Sequence, residues 1–167
     1  MKAVTTAQMR ELDKIATTEF AIPGFELMRR AGEGVAGTVS YLSERIRGGD
    51  AFIHLVAGRG NNGGDAFAAA LLLHEDDFDV EVLLAGSASD IRGDALRHLG
   101  KMRAAGIPLI ELPTKEAWMD ALQTANSGEI IVDGVLGNWR ERPAPRPHRR
   151  GDSLHQQYIG RQPGGLN

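Results

Sequence analysis

The chain of 167 residues contains no cysteine, few aromatic side chains (5% Phe, Trp and Tyr) and no long apolar run. Each absence excludes something. Without cysteine there is no disulfide framework, no thiolate zinc site and no cysteine nucleophile, and this usage fits a reducing compartment. No stretch approaches the roughly 18 consecutive apolar residues of a membrane-spanning helix. The opening MKAVTTAQMRELDKIA lacks the apolar segment of a secretion signal, so the expectation is a cytoplasmic protein.

Basic charge is also scarce over most of the chain. Of the 19 Lys and Arg residues, 6 fall in the last thirty positions, against 2 of the 22 acidic ones. Residues 1–137 therefore carry −7 and residues 138–167 carry +4. An acidic body argues against a nucleic-acid surface as its main business. The composition, 42% hydrophobic and 25% charged, is that of a soluble globular domain, and the length suits one domain with a sizeable core.

What is present reads as alternating helices and strands. Thr5 with Gln8 three residues on forms a capping-box pattern, and Met9, Leu12, Ile15 and Ala16 follow at helical spacing. Pro23-Gly24 breaks this helix and starts a second, whose apolar face carries Phe25, Leu27, Met28, Ala31, Val35, Val39, Leu42 and Ile46 as far as Gly48-Gly49. Strands are expected at Ala51–Ala57, Val80–Leu84, Ile107–Leu112 and Glu129–Asp133, separated by helices over Asp65–His74, Asp90–Ala105 and Thr114–Ala125. This alternation implies right-handed crossovers and a parallel sheet. The fold class is therefore α/β, a Rossmann-like, doubly wound, mostly parallel sheet with two N-terminal helices, occupying residues 1–137.

In such sheets ligands bind at the carboxyl ends of the strands, where strand order reverses. Gly58, Gly60 and Gly63 satisfy the G-x-G-x-x-G pattern between a strand and a helix. The acid that usually follows the second strand and holds a ribose hydroxyl is absent from LLAGSAS, which weakens a reading as an NAD-dependent oxidoreductase. Asn61 and Asn62 tolerate left-handed geometry and supply amide donors and carbonyl acceptors. Gly63 and Gly64 leave room for backbone amides to approach a ligand, and a helix starting there favours phosphate. Ala66, Ala68, Ala69 and Ala70 allow close packing behind the turn, with Phe67 and Leu71 to Leu73 supplying bulk. Asp65 has two readings. At a helix start a carboxylate simply suits the dipole; beside a phosphate site it makes sense as a proton donor or acceptor. Asp133, closing the fourth strand, either caps the next turn or serves the site. His54 reads as a core residue, His74 and His98 as surface, and Trp118 and Leu122 as core.

The stretch AGRGNNGGDAF resembles the GxGNNGGDG signature of the YjeF N-terminal domain family, whose characterised members are NAD(P)HX epimerases. IPGFELMRRAG, from Ile22 to Gly32, resembles that family's IPxxxLMExAG helix, and IIVDGVLG resembles its VDALLGTG strand end. The resemblance implies an epimerase interconverting the R and S forms of NADH or NADPH hydrated at carbon 6, beside an ATP- or ADP-dependent dehydratase. It further implies that Asn61, Asn62, Gly63, Gly64, Asp65 and Gly137 line the substrate and that Asp65 is the acid–base group. Asn62 with Asp133 would hold a potassium ion, consistent with the oxygen ligands such a cation prefers. A homodimer through the N-terminal helices fits the same reading. Arg59 replaces a frequent Pro, Ala66 a frequent Gly, and Arg29-Arg30 a frequent Glu-Asn. A non-catalytic binding module is the alternative from another class, and the presence of Asp65 counts against it.

After Gly137 the pattern collapses. Residues 138–167 hold six Arg, four Pro and three Gln, with Trp139, Leu154, Tyr158, Ile159 and Leu166 as the large apolar residues. That is too little for another strand–helix pair, and Pro143, Pro145 and Pro147 favour extended chain. The expectation is an atypical tail of the kind a GC-rich gene gives when read out of frame, which leaves the domain of residues 1–137 incomplete and its epimerase activity impaired. The rival is a genuine basic arm for an acidic partner.

Overall fold

A computed structural model of the protein describes residues 4–124 and 130–135. Two helices lead. Helix α1 (Thr6–Thr18) begins with the anticipated capping box: the Gln8 amide donates to Thr5 Oγ1 at 3.2 Å, and the Thr5 amide donates to Gln8 Oε1 at 2.8 Å. Helix α2 (Gly24–Arg47) follows Pro23 and stops at Gly48, whose φ of +66° is the left-handed conformation that ends helices without a Cβ penalty.

The remaining elements alternate: β1 (Ile53–Ala57), α3 (Asn61–Glu75), β2 (Val80–Leu84), α4 (Gly93–Ala104), β3 (Leu109–Glu111), α5 (Lys115–Thr124) and β4 (Ile130–Gly134). All three strand pairings are parallel, in the order β3-β2-β1-β4. The chain thus builds outward from β1 through β2 to β3, then returns to the other side of β1 for β4. The switch point lies between β1 and β4, where the Gly-rich turn and Asp133 both emerge.

Alternation along the strands sorts the two faces. Ile53, Leu55 and Ala57 of β1 and Val80, Val82 and Leu84 of β2 are buried under α2, α3 and α4, with Phe67, Leu73, Leu99 and Met102 filling that layer. On the opposite face, His54, Glu81, Leu83, Ile110 and Ile131 line a cleft of about 380 Å³ bordered by Trp118 and Ala121 of α5. His54 is buried as expected, its Nδ1 2.9 Å from Oε1 of Glu81, its cross-strand neighbour.

Helix α3 lies unusually close to α2. A Cβ built on Gly32 would come within 2.7 Å of Ala68 Cβ and 2.9 Å of the Ala69 amide nitrogen. The alanine-rich sequence of α3 is what permits that approach, and its inward bulk comes from Phe67 and Leu73.

Several expectations need correction. Helix α3 begins at Asn61, not at Asp65, so the Asn-Asn-Gly-Gly run is its first turn. His98 is not a surface residue: it is buried, stacked on Phe25 with ring centroids 3.9 Å apart, and its Nε2 lies 3.0 Å from the Phe25 carbonyl oxygen. A carbonyl can only accept, so Nε2 carries the proton, and burial pushes the imidazole pKa down. The signal was available, because Ala95, His98, Leu99 and Met102 form one helical stripe. Conversely, Leu42 and Ile46 of α2 are exposed, while Val39 and Ser43 carry the buried side of its last turns. Trp118 is only partly covered, beside the cleft, and Leu122 lies among residues whose side chains are not described.

These contacts predict opposite effects for two neighbouring glycines of α2. Gly32→Ala should lower stability by about 1–3 kcal/mol through overpacking against α3. Gly34→Ala, with nothing within 4 Å of its Cβ position, should raise it by about 0.5–1 kcal/mol through helix propensity. Urea denaturation midpoints of the two variants check both signs.

Candidate functional site

The site is assembled where β1 and β4 end. The Gly58 amide donates to the Gly134 carbonyl oxygen at 3.2 Å, tying the two strand ends together. The chain then reverses through Arg59-Gly60 into α3. A methyl on Gly63 would overlap the Gly58 carbonyl oxygen, and one on Gly64 would overlap the sulfur of Met28. Both glycines are buried. Their bareness is therefore required by packing of the turn itself, which differs from the expected role of clearing a path for a ligand. Gly60 has open space around its Cβ position, and no side chain caps the helix there. The first-turn amides of an α-helix have no intrahelical acceptor and carry the positive end of its dipole. In α3 these amides belong to Asn61, Asn62 and Gly63, at the switch point.

Asp65 sits in the second turn of α3, half-buried, one turn inside the helix. Burial, together with the negative charge of Asp13 on α1, raises its pKa from 3.8 to about 6. The influence of Asp13 had no sequence signal, because Asp13 reads as one more polar residue on an exposed helix face. It follows from where α1 is laid.

Asp133 is brought to the same end of the sheet, in register with Val56. Its Oδ1 accepts from the Val135 amide at 2.8 Å, so it does close the turn after β4. The next residue, Gly134, is wedged against α3: a Cβ there would lie 2.9 Å from Ala66 Cβ and 3.1 Å from the Asn62 carbonyl oxygen. Asn62 and the Asp133-Gly134 segment are thus neighbours. Among the described residues no group of three His, Cys, Asp or Glu side chains converges on a metal position. An ion here would depend on amide and carbonyl oxygens beside Asp133, a donor set suited to a hard cation of low charge. Gly137 lies outside the described residues. None of the residues of the Gly-rich turn borders the cleft on the opposite face.

Arg29 and Arg30 are engaged within α2. Glu26 accepts from Arg29 Nε at 2.8 Å and from Arg30 Nε at 3.0 Å, and Arg29 also meets Glu33. The Arg29 and Arg30 guanidiniums hold the Glu26 carboxyl down at about 2.

Residues 24–155 match the family model described as YjeF-related protein N-terminus. The chain belongs to this family. Among similar proteins, an NAD(P)H-hydrate epimerase of Rhodopirellula baltica is 30% identical over 142 residues, covering 84% of this chain and 54% of that protein. One of Roseobacter litoralis is 35% identical over 153 residues, covering 87% and 67%. A bifunctional NAD(P)H-hydrate repair enzyme of Coxiella burnetii is 34% identical over 131 residues, covering 78% and 24%. The chain thus spans about half the length of the Rhodopirellula protein and about a quarter of the bifunctional one. The crystal structure of the yeast protein ynu0 has the same fold, with a TM-score of 0.69 at 22% identity over 88% of this chain and 61% of that one. No helix among the described residues is long and apolar enough to cross a membrane.

The environment of Asp65 makes a prediction about stability. Its folded pKa, about 6, stands above the ordinary 3.8, so ionisation disfavours the folded state. That penalty is absent below pH 3.8, grows between the two values and is complete above about 6. Asp65→Asn should therefore raise the melting temperature at neutral pH, with the gain vanishing in acid. Paired thermal melts across this range check it.

Proposed function

We propose that this chain is an NAD(P)H-hydrate epimerase, with Asp65 as the proton-transfer group. The observation that carries the reading is the elevated pKa of a half-buried carboxylate, about 6, one turn behind an anion-binding helix start. A general base works best when its pKa lies close to the working pH. The named relatives support the substrate class, since similar chains are NAD(P)H-hydrate epimerases.

The chemistry follows from the substrate. Carbon 6 of the hydrated ring bears both the ring nitrogen and the hydroxyl. Asp65 takes the hydroxyl proton and delivers it to the ring nitrogen as the carbon–nitrogen bond opens, giving an aldehyde and an enamine N–H. After the aldehyde rotates to present its other face, Asp65 removes the N–H proton as nitrogen re-forms the bond and returns it to the oxygen, so no atom is gained or lost. The first-turn amides of Asn61, Asn62 and Gly63 would hold the nucleotide's phosphates, which fixes the ring relative to Asp65. Potassium is the proposed ion, held by Asn62 and Asp133, where its charge would steady a developing oxyanion. Gly137 is proposed to complete the substrate wall.

Two copies are proposed to meet through α1 and α2, where Met9, Leu12, Tyr41 and Ile46 are exposed. The product in the S form is proposed to pass to a dehydratase. That link is supported by similar chains occurring within proteins named as bifunctional repair enzymes.

Incubating the protein with R-form hydrated NADH, and separating the isomers by chromatography, tests the reading. The expected outcome is conversion to a mixture of R and S, rising with pH through about 6 as Asp65 ionises and then levelling. Asp65→Asn should reduce the rate by at least about 100-fold, the scale of one general base. Replacing potassium with sodium should slow the reaction, and Asp133→Ala should remove that difference. A wild-type rate equal to the uncatalysed one would refute the proposal.

A further inference from the structure

The turn after β2 carries a second feature that the proton chemistry does not use. The Ala85 amide donates to the Ala57 carbonyl at 2.8 Å, which binds this turn to the end of β1. Gly86, at φ +142°, then passes under Arg59: a Cβ there would lie 2.8 Å from Arg59 Cδ. The space left by Gly86 is filled by the Arg59 stem. The guanidinium reaches Asp90 of the short 3-10 turn Ala88–Asp90, with Nη1 3.5 Å from Oδ2, and both side chains remain about half exposed or more. Beside them Ser89 Oγ lies 3.1 Å from Ser87 Oγ.

We propose that Arg59 recognises a phosphate on the adenosine ribose, so that this chain prefers hydrated NADPH to hydrated NADH. The inference rests on the epimerase reading and deepens it. In a parallel sheet ordered 3-2-1-4, a dinucleotide with its pyrophosphate on the helix after the first strand lays its adenosine ribose over the end of the second. An acid there selects the free 2′-hydroxyl, and an arginine accommodates a 2′-phosphate. Here the nearby acid, Asp90, is already engaged by Arg59. A pair at 3.5 Å on an exposed surface contributes little, whereas a guanidinium can grip a phosphate through two parallel hydrogen bonds. The local charges are balanced enough for an anion to enter. Arg92 holds the Ser89 and Ile91 carbonyls, and Glu111, which accepts from Ser87 Oγ at 2.8 Å, lies 3.5 Å from Arg103.

Specificity constants for the two hydrated nucleotides test the idea, with calorimetric binding of 2′,5′-ADP and 5′-AMP as a readout independent of turnover. The phosphorylated member of each pair should be favoured by about tenfold at low ionic strength, the scale of a charge-assisted contact at an exposed site. High salt should shrink the ratio. Arg59→Ala should bring it to about one, Arg59→Lys should leave an intermediate value, and Asp90→Asn should increase it. Equal constants for the two substrates, or a ratio unchanged in Arg59→Ala, would overturn this inference and leave the epimerase reading standing. Turnover of neither substrate, with no binding of either adenosine nucleotide, would overturn both.

Discussion

Between β1 and α3 the backbone folds back so tightly that the first turn of the helix rests on the carbonyl of Gly58. Gly63 faces that carbonyl directly, Gly64 faces Met28, and Gly134 presses on Ala66 and the Asn62 carbonyl. At Gly63 and Gly134 the neighbours are backbone or the Ala66 methyl, so no larger residue is accommodated there, while Gly64 makes room for the end of the Met28 side chain and for Ala95. The rest of the site follows from this junction. It sets the height of α3 over the sheet, joins β4 to β1 through the Gly58–Gly134 hydrogen bond, and aims the first-turn amides at the switch point. Glycine here is a packing requirement: close seating is what brings the start of α3 and an acid to the same strand termini.

Seating α3 this deeply also takes Asp65 out of water. A carboxylate one turn inside a helix start, half-covered, loses hydration that the dipole alone does not restore. The result is a proton affinity raised to about 6, with Asp13 of α1 adding repulsion. A group so placed is a liability for folding and an asset for proton exchange. In the proposed chemistry, the burial that disfavours folding is also what brings the proton affinity of this side chain near the working pH. Helix α1, otherwise largely exposed, participates through charge rather than through packing.

The two faces of the sheet are unequal. One is sealed by α2, α3 and α4 around Phe67, Leu73, Leu99 and Met102. The other carries the His54–Glu81 pair in a cleft beside α5. The chemistry proposed for the site belongs to neither face. It belongs to the strand ends, where side chains from separate elements meet.

Periodicity in the sequence was enough to place every described strand and helix to within a few residues, because apolar alternation and capping signals are local: Thr5 with Gln8, Gly48 after α2, the alanine run of α3. The motif residues Asn61 to Asp65 and Asp133 were likewise legible, and so was their family. What sequence alone could not supply was the geometry between elements. Starting α3 at Asn61 rather than Asp65 depends on the Gly63–Gly58 contact, which is invisible until β1 and α3 are packed. The burial of His98 depends on Phe25, seventy-three residues earlier. The elevated pKa of Asp65 needed both the depth of α3 and the charge of Asp13 across a helix interface. Local preferences decide which elements form; desolvation and long-range electrostatics decide what a side chain can do, and those exist only once the elements are assembled.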